Sequence, residues 1–404
     1  MLRRASLFIL LLGFTLDSRA QTELAPDPQV AELIEAVRGR RVGLITNPTG
    51  VDVHFRPIAD LLAADPDVRL AAFFAPEHGL RGDRQAGARV EDYTDEATGA
   101  PVYSIYGSRR APTAEQLAAL DVLVFDIQDV GARFYTYVWT MTHAMEAAAA
   151  AGVDFIVFDR PNPIGLTRVE GPPIRFDAGL IGRKWDRAPF GLPTRHGMTA
   201  GEIARLVNGE WIDPQVKLEV IAVPGLNRAT PFEATGRPWV MPSPNMPTRE
   251  TALVYPGAAL FEGTNLSEGR GTTRPFELIG APSIDGARWA DELNALGLAG
   301  VRFRPAAFTP TFDDRAGERC GGVQIHVVDP EAFEPVRAAL HMLQTVKRLH
   351  PEQVDIGRGV DRLIGLEGLR ERIESESVEE IAASWRADLE SFLEIRRKQQ
   401  IYTE

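Results

Sequence analysis

DVLVFDIQD, residues 121–129, is an apolar run set among carboxylates. Val122, Leu123, Val124 and Phe125 follow one another without the polar alternation of a half-exposed strand. Such a run suits a parallel strand covered on both faces. RVGLITN (41–47), VRLAAFFAP (68–76) and VDFIVFDRP (153–161) have the same character. Helical stretches separate them. Ile58 to Ala64 is one. Thr113 to Ala119 is another, opened by a capping box of Thr113 and Gln116. Tyr137 to Ala151 is a third, with Gly152 as its C-terminal stop. Strand and helix in alternation give a doubly wound, Rossmann-like α/β sheet. A further helix starts at the capping box of Thr199 and Glu202 and is read as ending at Gly209, followed by the strand VKLEVIAV.

From Asn227 the chain changes character, with prolines at 231, 238, 242, 244 and 247. A domain boundary is therefore expected near 230. It gives a Rossmann-like unit over 21–230 and a smaller α+β unit over 231–404, with VRFRP and GVQIHVV as strands. A last helix is expected from Ser377, its apolar stripe being Val378, Ile381, Trp385, Leu389 and Phe392. The single cysteine, Cys320, permits no internal disulfide and reads as a small buried hydrophobe.

At the amino end, Arg3 and Arg4 precede the apolar run Leu7 to Leu12, and Ser18-Arg19-Ala20 has the small-x-small form of a cleavage site. Residues 1–20 therefore read as a signal peptide, too short in its apolar part to span a bilayer. A secreted or periplasmic location is expected, with no membrane span left after cleavage. The net charge of −12 disfavours nucleic acid and anionic membranes as partners. Asn47-Pro48-Thr49-Gly50 is not a phosphate-binding loop, so no dinucleotide cofactor is expected.

Ligands of parallel α/β sheets bind beyond the carboxyl ends of the strands, and here every such end is polar. The first delivers Asn47. The second delivers Glu77 and His78, with Arg81 and Asp83 following. The third delivers Asp126, Gln128, Asp129 and Arg133, and the fourth Asp159, Arg160 and Asn162. Arg195 and His196 precede a helix start, and Asn245 sits in a stiff proline loop. Glu262, Asn265, Glu268 and Arg270 lie in a glycine-rich stretch that would let backbone approach a ligand closely. Tyr103, Tyr106, Phe134, Tyr135 and Tyr137 are close in sequence to these groups. Carboxylates, amides and arginines in this mixture suit a hydroxyl-rich ligand that carries a carboxylate.

The strings GLITNPTGV, FAPEHGLRGD, SIYG, FDIQDVGARFYTY, DRPNPIG, RHGMTAGE, PSPNMPT and LFEGTNLSEGRGTTRPFE carry a resemblance. The sequence resembles the peptidoglycan exo-β-N-acetylmuramidases, a glycoside hydrolase family. The resemblance implies removal of a terminal β-linked N-acetylmuramic acid from the non-reducing end of cell-wall oligosaccharides or muropeptides. It also implies a site in the cleft between a Rossmann-like domain and an α+β domain. Glycoside hydrolysis commonly uses two carboxyl groups, and N-acetyl sugars permit a substrate-assisted variant. Glu77, at the end of an apolar strand, is the first candidate for general acid. His78 either orients it or packs in the core. Glu262 and Glu268 compete for the second carboxyl, with Asp126 and Asp129 behind them. Arg133, Arg195 and Arg270 are candidates for the lactyl carboxylate. Asn47, Gln128, Asn162, His196, Asn245 and Asn265 complete the candidate substrate contacts.

Two other classes compete. A metal-dependent hydrolase could draw on Glu77, His78, Asp126, Asp129, Asp159 and His196, but HExxH or a comparable spacing is missing and no metal is expected. A non-catalytic periplasmic binding protein for cell-wall sugars would also use a polar cleft, though a passive binder of a sugar acid should be lined by cations rather than carboxylates.

Overall fold

The computed structural model describes residues 27–81, 91–184 and 190–403. The leader-like segment and Asp83 lie outside the described residues. Seven strands form the first sheet. They are β1 (Arg41–Thr46), β2 (Arg69–Ala75), β3 (Tyr93–Thr94), β4 (Pro101–Ser104), β5 (Val122–Asp126), β6 (Asp154–Phe158) and β7 (Leu218–Ile221). Their order is β3-β4-β2-β1-β5-β6-β7, with every neighbour parallel except the short β3–β4 pair. The continuous apolar runs are thus explained by burial on both faces. Val42, Leu44, Val124 and Ile156 pack on one side with the helices Pro28–Val37 and Ile58–Ala64. Ile45, Phe74, Leu123 and Phe125 pack on the other with the helix Tyr137–Ala151.

The second unit is built on an antiparallel sheet of β8 (Leu278–Ala281), β9 (Val301–Phe308) and β10 (Cys320–Val327), ordered β8-β10-β9. The architecture is the α/β sheet plus smaller α+β unit read from the sequence. The two units share one core, in which Phe74 and Trp139 belong to the same apolar cluster as Leu260, Phe276 and Leu340. Cys320 is buried and unpaired.

The capping boxes at Thr113, Thr199 and Ser377 all form, and Gly152 ends its helix in the left-handed region at φ 68°. Two local readings are corrected. The helix from Ala200 runs through Glu210 and stops at Trp211 rather than at Gly209. Gly209 stays inside the helix, and Pro214 three residues beyond Trp211 bars its continuation. The last helix is two, Val378–Ala383 and Arg386–Gln399, hinged at Ser384-Trp385. Trp385 and Phe392 still face the core, but Leu389 is only half-buried. The glycine-rich stretch, from Tyr255 onward, begins inside the helix Arg249–Ala258 and continues as a 3₁₀ turn over Ala259–Gly263. Tertiary packing overrides Pro256 and Gly257 there: a Cβ on Gly257 would stand 1.9 Å from the Pro335 carbonyl oxygen, so the glycine admits the helix Pro335–Leu349.

Candidate active site

The end of β2 leads directly to the site. Pro76 has no N–H to continue the ladder, and the chain turns at once. His78 and Gly79 both take left-handed backbone (φ 72° and 79°), and the Gly79 N–H closes on the Pro76 carbonyl at 3.0 Å. The turn projects Glu77 and His78 into a cavity of about 340 Å3. A non-glycine residue held at positive φ is a local strain, often found where a side chain must be aimed.

Glu77 is gripped from both oxygens. The Tyr106 hydroxyl donates to Oε1 at 2.8 Å and the Thr136 hydroxyl to Oε2 at 2.8 Å. Thr136 is the N-cap of the helix Tyr137–Ala151, yet its side chain makes no cap bond. The helix gives up about 1 kcal/mol of capping so that the hydroxyl can hold the carboxylate. The following Tyr137 donates to the Pro242 carbonyl at 2.5 Å and fixes the proline loop that brings Ser243 and Asn245 to the wall.

The second unit supplies the facing wall. Glu262 lies in the 3₁₀ turn Ala259–Gly263, and its side chain keeps 29% of its surface, which opens to the cavity. The density of protein around it pushes its carboxyl pKa above the usual value. Arg270 opposes this shift, while Asp313 and Glu77 add to it. Glu77 and Glu262, 185 positions apart in the chain, line the same cavity. Arg270 donates to Glu262 Oε1 at 3.0 Å and to Glu268 Oε1 at 2.7 Å, and stacks 4.9 Å from the Phe276 ring centre. Its two carboxylate partners raise its pKa despite burial. Phe134, Tyr135, Tyr255 and Phe276 pack edge to face beneath these groups. Burial holds the Tyr135 and Tyr255 hydroxyls well above their ordinary pKa, so they remain neutral donors.

Of the residues singled out from the sequence, Glu77, His78, Asn245, Glu262 and Arg270 line this cavity. The others are spent on the fold. Glu268 has 2% of its side chain accessible and serves to anchor Arg270. Asn47 accepts from the Thr49 amide and hydroxyl. Asp126 is fully buried against Arg160 at 2.5 Å, and that burial raises its pKa. Gln128 donates to the carbonyls of Asp129 and Pro161, and Asn162 to that of Met198. Arg195 donates to the Ile164 carbonyl. His196 pairs with Asp129 at 3.2 Å with no side-chain exposure. Asn265 ties to Gln353 and Asp355. Arg133 is completely buried and donates to the carbonyls of Ile181 (2.6 Å) and Leu363 (2.5 Å), both cavity residues. Burial lowers its pKa to about 9. It braces the wall instead of meeting a ligand. Of the aromatics named beside these groups in the sequence, Tyr106, Phe134, Tyr135 and Tyr137 line the cavity, and Thr136, Arg110 and Arg362 line it without having been singled out. Tyr106 and Thr136 were legible in part, inside the motifs SIYG and FDIQDVGARFYTY. Arg362, from a helix late in the chain, carried no local signal.

Among the described residues no group of three or more His, Cys, Asp or Glu is gathered as a set of metal ligands. No helix among them is long and apolar enough to cross a membrane.

Two family models match nearly end to end. The model described as exo-beta-N-acetylmuramidase NamZ, N-terminal, covers residues 42–250, and its C-terminal counterpart covers 253–402. The chain belongs to the NamZ exo-β-N-acetylmuramidase family. The NamZ relative from Bacillus subtilis (strain 168), a peptidoglycan beta-N-acetylmuramidase, is 46% identical over 397 residues, covering 96% of this chain and 94% of its own. Two crystal structures of DUF1343 family proteins from Bacteroides fragilis NCTC 9343 share the fold. One superposes with a TM-score of 0.83 at 36% identity over 93% of this chain and 97% of its own. The other gives 0.73 at 29% identity over 93% and 98%. The NamZ models meet between residues 250 and 253, at the helix Arg249–Ala258 that leads from the proline loop to Glu262.

Proposed function

We propose that this protein is an exo-β-N-acetylmuramidase that releases N-acetylmuramic acid from the non-reducing end of peptidoglycan fragments. The observation that carries the reading is a pair of glutamates, Glu77 and Glu262, presented by different units to one cavity of about 340 Å3. That volume is at the small end for ligand sites and suits one terminal sugar rather than a threaded chain. Membership of the NamZ family supplies the reaction class.

The surroundings divide the work between the two carboxyls. Glu262, whose pKa is raised chiefly by burial, fits the proton donor to the leaving glycosidic oxygen. Glu77, fixed through both oxygens, fits the group that must hold station at the anomeric centre, as base or nucleophile or by orienting the acetamido group of the sugar. This exchanges the roles read from sequence. Tyr106 and Thr136 position Glu77, and Arg270, held by Glu268, positions Glu262. The leader-like residues 1–20 support action outside the cytoplasm, in the periplasm or secreted medium, where such fragments are formed.

The test is incubation with 4-nitrophenyl β-N-acetylmuraminide and with a GlcNAc–MurNAc oligosaccharide bearing a non-reducing MurNAc end. One free MurNAc per chain is expected, leaving a shortened oligosaccharide with GlcNAc at its non-reducing end. Stoichiometric binding without turnover, or internal cleavage to disaccharides, would refute the proposal.

A further inference from the structure

Two arginines on the cavity wall have no part in the roles above. Arg110 follows β4, and Arg362 belongs to the helix Arg358–Ile364. Both reach the same short turn. Arg362 Nη2 donates to the Ala178 carbonyl at 3.1 Å. Arg110 Nη1 lies 3.5 Å from where a Cβ on Gly179 would stand, at a residue with φ +69°. The two guanidinium groups therefore flank one turn of the wall.

Their charge is not cancelled. Among the described residues neither makes an ion pair with a carboxylate. The acids beside the turn and beside Arg362 bond to backbone: Asp177 accepts from the Gly179 amide, and Asp361 from the amides of Gly368 and Arg370. Behind the same wall lies Arg133, bonded only to carbonyls. Arg270 differs, since Glu262 and Glu268 neutralise it. The cavity thus has a carboxylate side and a cationic side. Guanidinium forks match a carboxylate in geometry as well as charge.

We infer that Arg110 and Arg362 form a carboxylate-binding subsite that reads the lactyl acid of the muramic sugar, with Arg133 as a positioning residue for the wall they share. The inference rests on the function proposed above and gives its substrate preference a structural source. A sugar of the same shape whose acid is neutral loses these contacts and leaves two guanidiniums unpaired.

The experiment is equilibrium binding by calorimetry of N-acetylmuramic acid and of its lactyl methyl ester. Wild type is compared with Arg110→Met, Arg362→Met and the double variant. Wild type is expected to bind the acid about tenfold or more tightly than the ester, the range of a charge-assisted hydrogen bond. The double variant is expected to bind both with the affinity of the ester. Unchanged ester binding certifies the fold, and lysine at either position is expected to restore part of the preference. Equal binding of acid and ester by wild type, or a preference that survives in the double variant, overturns the subsite alone. Failure of wild type to bind either compound overturns the reading of the cavity itself, and the subsite with it.

Discussion

Glu77→Gln removes charge from the centre of the site while keeping its scaffold. The amide carbonyl still accepts from one of the two hydroxyls that now hold the carboxylate at 2.8 Å. The amide N–H donates to the other, because tyrosine and threonine hydroxyls accept as readily as they donate. Stability should therefore change by about 1 kcal/mol or less, and the melting temperature should stay close to that of wild type. Turnover should not survive. A positioned acid–base group contributes about 10²- to 10⁴-fold, equivalent to about 2.7–5.5 kcal/mol in the barrier. The assay is nitrophenol release from 4-nitrophenyl β-N-acetylmuraminide under saturating substrate, beside a thermal melt. Glu77→Ala separates the two contributions: it is equally inactive, but it deprives two hydroxyls of their acceptor and lowers the melting temperature. A Glu77→Gln enzyme with kcat within about threefold of wild type would refute the reasoning, because no scaffold loss could mask a missing catalytic group.

Three further outcomes follow from the same geometry. Glu262 is expected to act protonated, so kcat/KM should fall as pH rises through its elevated pKa, with that limb lying above the ordinary glutamate value of 4.5. Arg270 lowers that pKa, so Arg270→Met should move the limb to higher pH; a limb that moves down or stays would contradict the assignment. Glu170 is half-buried with one carboxylate oxygen covered, and desolvation is the chief cause that raises its pKa to about 7. The folded state is therefore favoured below the unfolded value and penalised as pH rises through 7, and Glu170→Gln should raise the melting temperature at pH 8 while leaving it unchanged at pH 4. The magnitude is about 2–3 kcal/mol. Gly257→Ala would drive a methyl group into the Pro335 carbonyl at 1.9 Å, a clash with backbone that no rotamer change relieves. A loss of about 2 kcal/mol or more is expected in denaturant melts.

Asp126 and Glu77 look alike in the chain: each ends an apolar strand and is followed by more polar groups. Their fates differ because Arg160 crosses from the end of β6 and neutralises Asp126 at 2.5 Å in full burial, whereas Glu77 is held by the Tyr106 and Thr136 hydroxyls at the edge of the cavity. Arg195 and Arg270 were equally plausible partners for an anion. The first is buried against the Ile164 carbonyl, and the second opens to the cavity between two glutamates. The proline loop covers Asn47 beside β1 by way of the Pro242 carbonyl, which leaves the site displaced toward β2.

The amino-acid sequence by itself determined the parallel sheet, the capped helices, the split into two units and the family. Those signals are local: apolar continuity, a hydroxyl three residues before its glutamine or glutamate, and short contiguous motifs. Only the tertiary structure decided which polar strand ends face a ligand and which are consumed by one another. That choice depends on how the second unit lies across the first, and on pairs such as Arg133 with Leu363, 230 positions apart. No short-range periodicity encodes such a distance, because burial and ion pairing are settled only once the chain has packed.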